Sequence, residues 1–352
     1  MLFRSSMVTV MRSTPTAGME ATLGLIPLDL HIQSEATKAR LRTSSLVRDT
    51  WDGLGSRLKG HRRWHDDILT KLDLRRINLD QLRKTSNWEV RPDVVDNPDL
   101  IIYTDGSKEE GRVGAAWALT AGDMVLAEEA YRLNDEATVF QAEVAAIREA
   151  LVYLNSQEKY KKATVQIRSD SQAAIAAILK TMHKSKLTRD CAGQLAVAQD
   201  ERPVQIAWIK GHADHTGNEL ADVLAKQGNS KPYDGRMEVP VPVRYAKRVV
   251  EEFYYSSWQR QWEAETKCTH TREMFPTVNR GKLKQLLRMN RKQLAILIEA
   301  ATGHGLVAYH LAHWKPSVDP TCKLCLEDDH IDPHRPVFST PCLQTAPQCG
   351  CD

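Results

Sequence analysis

The chain has 352 residues, room for two or three domains. Charged residues make up 26% and apolar residues 42%, which excludes a disordered or collagen-like chain and leaves a folded protein. The net charge of +3 neither demands nor excludes a polyanionic partner, and no apolar run approaches the roughly 20 residues that span a bilayer.

At the N-terminus, MLFRSSMVTVMRSTPTAGM is free of acid and carries two arginines, a mild likeness to a mitochondrial presequence. Residues 1–95 hold two charged helix-like stretches, Ser34–Val47 and Trp64–Lys84. Neither has a wide apolar face, so the segment is expected to pack on something else. VRPDVVDNPD, residues 90–99, reads as a linker. From Leu100 the texture changes. Strands are expected at Leu100–Thr104, Gly114–Thr120 and Met124–Tyr131, joined by short glycine-containing turns as an antiparallel meander. An amphipathic helix follows over Ala137–Asn155, then a strand over Ala163–Ser169. Next come helices over Ser171–Thr181 and Arg189–Gln199, a strand over Val204–Lys210 and a helix over Gly217–Gly228. This order gives an α/β fold, a mixed sheet covered by helices. Residues 230–243 read as a linker. Helices are expected over Arg244–Trp262 and Lys282–Ala301, within a helical basic region at 244–315. From Pro276 to Ile298 there are six basic residues (Arg280, Lys282, Lys284, Arg288, Arg291, Lys292) and no acid, a solvated helix face or a phosphate-facing surface.

Four carboxylates stand out. LIIYTDGS runs a buried-type strand into Asp105, either a tight-turn residue or a metal ligand at a strand end. On the Ala137 helix, the apolar stripe Phe140, Ile147, Leu151, Leu154 has Glu143 as its natural missing member. A glutamate there is costly unless paired or metal-bound, or unless its stem snorkels outward. RSDSQ ends the next strand with Asp170, where Asp170 or Ser171 could simply cap a helix. In WIKGHADHTGNELAD, Asp222 shares a helix face with Asn218 near a favourable N-terminus, after a loop carrying His212 and His215. If the first and third of these strands are parallel neighbours, the topology can gather all four carboxylates at one sheet edge. Four such charges repel unless cations lie among them. Oxygen-only ligands suit Mg²⁺ or Mn²⁺, and a pair of such ions is the apparatus of in-line phosphoryl displacement.

The order TDGS, QAE on a helix, SDSQ, then GHADHTGNELAD resembles type 1 ribonuclease H over residues 98–229. The resemblance implies a ribonuclease H-like five-stranded mixed sheet with helical N- and C-terminal extensions. It implies endonucleolytic hydrolysis of the RNA strand of RNA–DNA hybrids by two metal ions. By position, Asp105 would touch both ions, Glu143 and Asp170 would complete one site, and Asp222 the other. His212 would assist proton movement and product release. Gly106, Ser107 and Asn218 would contact substrate, and Asn218 and Glu219 match the residues that open the last helix. The segment between Thr181 and Val204 is too short for the basic protrusion of some cellular members, so hybrid binding needs help from elsewhere. The alternatives are a non-catalytic nucleic-acid-binding module on a decayed fold of this type, and a structure-specific DNA nuclease or integrase.

The flanks resemble parts of non-LTR retrotransposon polyproteins. RSTPTAGMEATLGLIPLDLHIQSEATKARLR resembles the segment joining reverse transcriptase to ribonuclease H, and RGKLKQLLRMNRKQLAILIEAATGHGLVAYHL followed by CKLC resembles the region after it. That implies a reverse transcriptase domain in cis, although the chain lacks polymerase motifs. Residues 1–95 would then be a helical connection segment. Residues 316–352 form a Cys/His tail whose Cys322, Cys325, His334 and Cys342 are candidate Zn²⁺ ligands, with His330 and Ser339 near the expected positions. Five of the seven cysteines crowd there, which fits a reducing compartment. The expected setting is intracellular, nucleus or cytoplasm, with the mitochondrion the lesser alternative.

Overall fold

The structure is a computed structural model that describes residues 14–46, 68–72, 74, 78–81, 84–85, 90–91, 93–211, 216–286, 288–303 and 317. Its helices, in chain order, are α1 (Thr16–Leu23), α2 (Leu28–Leu46), α3 (Val139–Ser156), α4 (Gln172–Ile178), α5 (Lys186–Glu201), α6 (Thr216–Ser230), α7 (Val243–Ala264), α8 (Thr269–Met274), α9 (Lys282–Leu286) and α10 (Arg291–Thr302). Its strands are β1 (Lys84–Thr85), β2 (Leu100–Glu109), β3 (Arg112–Ala121), β4 (Met124–Leu133), β5 (Val165–Ser169), β6 (Met182–His183) and β7 (Val204–Trp208). The chain divides into two compact units: Thr37–Val249, and Met1–Ala36 with Val250–Asp352.

The larger unit is built on a mixed five-stranded sheet in the order β4-β3-β2-β5-β7. Strands β2, β3 and β4 form the expected meander. Glu110 and Gly111, both at positive φ, make the two-residue turn between the paired Glu109 and Arg112. Gly122 supplies positive φ in the second turn. The right-hand half of the sheet is parallel: β5 lies beside β2 and β7 beside β5. Helix α3 covers one face with Val144, Ile147, Leu151 and Leu154 buried among Ile102, Val113, Trp117, Val165 and Ile167. A capping box of Thr138 and Gln141 starts it. The other face is covered by α6, where Leu224 and Ala225 meet Ala116, Ala118 and Ala130.

Of the expected boundaries that shift, three change the reading of the fold. Strand β2 does not stop at Thr104 but continues through Asp105 to Glu109 in its antiparallel pairing with β3. The helix expected over Lys282–Ala301 is two helices, because Asn290 caps a new one by accepting from the Gln293 backbone N–H at 3.0 Å. The stretch Trp64–Lys84 is helical in its described part only near residues 68–71, and Lys84 already belongs to β1, which pairs with β6. In the smaller unit, α1, α9 and α10 share a cluster of Met19, Leu23, Leu286 and Ile298.

The chain flanking the sheet is tied in by Asp80. Its carboxylate accepts from Ser185 Oγ at 2.8 Å and from the backbone N–H of Lys186 at 2.8 Å at the start of α5. It also accepts from Gln141 Nε2 at 3.0 Å, and the same amide donates to the Pro240 carbonyl at 2.8 Å. Leu79 bridges to Val241 beside it. One carboxylate thus joins residues before and after the sheet to the starts of two helices. Asp80→Ala is expected to lower stability by about 2 kcal/mol, a lost cap plus lost charge-assisted hydrogen bonds. Urea unfolding followed by circular dichroism measures it.

Candidate metal centre

The parallel pairing of β2 with β5 ends at Thr104 opposite Ser169. Asp105 and Asp170 are the next residue on each strand, so two carboxylates emerge side by side where the strands part. The dull explanations for both lapse on inspection. The hairpin turn lies at Glu110–Gly111, so Asp105 is no turn residue. The cap of α4 is Ser171, whose hydroxyl accepts from the Ala174 N–H, so Asp170 is not needed there.

Glu143 reaches the same place from α3 because Gly106 has no side chain. A Cβ on Gly106 would stand 2.4 Å from the Glu143 nitrogen and 2.9 Å from the Ala142 Cβ. Only glycine lets the helix press this closely on the strand. The result is a cluster in which ligand oxygens of Asp105, Glu143 and Asp170 all lie within 4.8 Å of one another. Asp105 and Glu143 are buried and Asp170 half-buried.

Asp222 stands just outside this trio, on α6. Helix α6 also approaches through glycine. A Cβ on Gly114 of β3 would lie 2.2 Å from the Ala225 carbonyl oxygen, and one on Gly228 would lie 2.5 Å from that of Tyr131. Asp222 pairs with Lys226 one turn on, Nζ to Oδ2 at 2.7 Å. Its charge still reaches Asp105.

The electrostatics follow from this crowding. Burial first, then the charges of Asp170 and Asp222, push Asp105 up to about 6. Burial first, then Asp105 and Asp170, push Glu143 up to about 9, against a lowering hydrogen bond from the Gly106 backbone. Glu143 Oε2 is buried with no hydrogen-bond partner. An all-oxygen donor set, mutual repulsion and an orphaned carboxylate oxygen fit a hard divalent cation. Asp105, Glu143 and Asp170 could hold one directly, and Asp222 lies near enough for its charge to raise Asp105.

The other sequence-derived positions fall as follows. Asn218 is buried at the start of α6, with Oδ1 unpartnered. Ser107 Oγ accepts from Asn229 Nδ2 at 3.1 Å. His212 lies outside the described residues, as do Cys322, Cys325, His334 and Cys342. Two neighbours escaped the sequence reading. Gly211 leaves room for Asp170, since a Cβ there would lie 2.7 Å from Oδ2. Lys226 partners Asp222, a pairing that its i,i+4 spacing could have signalled.

Comparison with known proteins agrees with this geometry. The profile described as "RNase H" matches residues 97–230. "Ribonuclease H" of Jannaschia sp. is 34% identical over 148 residues, covering 37% of this chain and 91% of that protein. This chain belongs to the ribonuclease H family. "Ribonuclease H" of Dinoroseobacter shibae is 30% identical over 148 residues, covering 37% of this chain and 91% of that protein. "Ribonuclease H" of Caulobacter sp. is 30% identical over 149 residues, covering 38% and 92%. The ribonuclease H region lies wholly within the larger unit.

Two outcomes are expected. Gly106→Ala forces α3 away from β2 and costs about 1–3 kcal/mol, as overpacking does, read from urea unfolding. The second concerns pH. Because both carboxyls titrate higher in the folded state than in the unfolded one, their contribution to stability is full below about pH 4 and is lost as pH rises through about 6 and about 9. In EDTA, the melting temperature should therefore fall between pH 5 and pH 9. Glu143→Gln should flatten the upper part of that fall, with about 2–4 °C gained per kcal/mol of repulsion removed. Melting curves across pH check it.

Proposed function

We propose that this chain hydrolyses the RNA strand of RNA–DNA hybrids endonucleolytically, with Asp105, Glu143, Asp170 and Asp222 as its metal-holding carboxylates. Membership of the ribonuclease H family supports the reaction class, a hydrolase. The observation that carries the site is the gathering of three carboxylates from β2, α3 and β5 within 4.8 Å, with one buried oxygen unpartnered.

In this reading Asp105 is shared between two ion positions, Glu143 and Asp170 complete one, and Asp222 completes the other. Two bound Mg²⁺ or Mn²⁺ ions would supply an activated water and a stabilised leaving oxygen for in-line displacement at phosphorus. The protein's part is to orient. Strand β2 fixes Asp105 within its pairing to β3, the end of β5 fixes Asp170, α3 carries Glu143, and α6 brings Asp222 paired with Lys226. His212 is assigned proton movement and product release. Gly106, Ser107 and Asn218 are assigned contacts to the hybrid. RNA is distinguished from DNA by 2′-hydroxyl contacts across the shallow groove. Recognition by shape and backbone carries little sequence preference and a steep dependence on salt.

The flanking likenesses support a setting within a retrotransposon replication protein, with a reverse transcriptase domain in cis and an intracellular site of action in nucleus or cytoplasm. The ligand chemistry of Cys322, Cys325, His334 and Cys342 supports a zinc site in the tail. No helix among the described residues is long and apolar enough to cross a membrane.

The test is digestion of a labelled hybrid, with duplex DNA and duplex RNA as controls. Cleavage of the RNA strand is expected only with Mg²⁺ or Mn²⁺, leaving 5′-phosphate and 3′-hydroxyl ends. Asp105→Asn is expected to lower kcat by about 10³-fold or more, equivalent to about 4 kcal/mol of barrier, while hybrid binding stays measurable. Full cleavage by this variant, free of host nuclease, refutes the assignment.

A further inference from the structure

The smaller unit carries a cationic surface that the metal centre does not use. From Pro276 to Ile298 the chain has six basic residues and no acid. Arg280 precedes α9, Lys282 and Lys284 lie on it, Arg288 lies on the turn after it, and Arg291 and Lys292 open α10. Arg280, Lys284, Arg288 and Lys292 are exposed. Arg280 lies over the ring of Tyr255, its Cζ 4.5 Å from the centroid, and Lys282 Nζ lies 3.9 Å from the centroid of Phe275. The rings of Tyr255 and Phe275 thus hold two cations in place at the edge of the surface. Among the described residues, Arg280, Lys282, Lys284, Arg288 and Lys292 pair with no carboxylate. Surface cations in folded proteins usually have acids interspersed among them. Five cations on one short stretch that meet no carboxylate of the described residues suit a polyanion.

We propose that α9, the turn after it and the start of α10 form a second nucleic-acid contact, binding the phosphate backbone without regard to sequence. This deepens the ribonuclease H reading and rests on it for the identity of the bound nucleic acid, an RNA–DNA hybrid. The segment between Thr181 and Val204 is too short for a basic protrusion, and this surface offers phosphate contacts of its own. An anionic membrane is the other polyanion of this size. The packing disfavours it, because Leu294, Leu297 and Ile298 of α10 are turned inward on Met19 and Leu23, and the apolar side chains exposed beside the cations among the described residues, Met289 and Ile296, are scattered.

The experiment uses the full chain carrying Asp105→Asn, so that bound hybrid is not cut. Binding of a fluorescein-labelled hybrid is followed by anisotropy between 50 and 300 mM KCl. The triple variant Lys284→Gln, Arg288→Gln, Lys292→Gln is expected to reduce the slope of log affinity against log salt by about 2 to 3, near 0.9 per lost phosphate contact, and to weaken binding about tenfold or more at 150 mM. A charge-retaining triple (Lys284→Arg, Arg288→Lys, Lys292→Arg) should keep both. Single Lys284→Glu provides the same readout at about one contact should the triple variant melt early. In the chain with Asp105 intact, the triple variant should raise KM for hybrid with kcat unchanged. An unchanged salt slope overturns the proposal. So does loss of binding to phosphatidylserine vesicles with hybrid binding intact. Absence of any cleavage by the unmodified chain, with the slope still reduced, would instead sink the catalytic reading and leave the surface standing.

Discussion

The space between β2, α3 and β5 is too small for three negative charges. Everything else in the larger unit is arranged around that conflict. Burial and proximity raise the Asp105 and Glu143 carboxyls above the ordinary carboxylate range, and a Glu143 oxygen is left without a partner. A protein gains nothing in stability from such an arrangement. A divalent cation held there would reverse its sign, turning mutual repulsion into shared ligation.

Reaching that geometry depends on what is missing as much as on what is present. Gly106 removes the side chain that would hold α3 off the sheet, and Gly114 and Gly228 do the same for α6. Gly211 leaves the Asp170 carboxylate its place. On the α6 face, Ala116, Ala118 and Ala130 keep the layer thin. The acids are brought together from far along the chain by backbone contacts, which need small residues, and two of them, Asp105 and Glu143, end up buried.

This explains what could and could not be read in the sequence. The strands, the meander and the covering helices were legible because alternation and helical spacing report burial directly. Glu143 was legible as an intruder on the stripe of Ile147 and Leu151. Asp105 and Asp170 were each ambiguous alone, and pairing decides them: the register that ends at Thr104 and Ser169 is a long-range fact with no local signature. The same holds for Gly211, whose role depends on a neighbour across the sheet. The run from Lys282 looked continuous because apolar spacing persists through it, while the single cap at Asn290 breaks it. Topology and resemblance alike drew Asp222 toward the other three, and the structure leaves it outside their cluster, paired with Lys226.

The Asp80 clasp reaches further than its own hydrogen bonds. The Gln141 amide it grips is two residues from Glu143, so the carboxylate with the unpaired oxygen follows directly on the first turn of a helix whose start is anchored from outside the sheet. Polypeptide on either side of the nuclease fold is therefore mechanically continuous with its most strained acid. Loosening either flank would fray α3 from the end that matters, and a cassette cut tightly around residues 97–230 would inherit the fold's outline while losing the hinge-pin that aligns its chemistry.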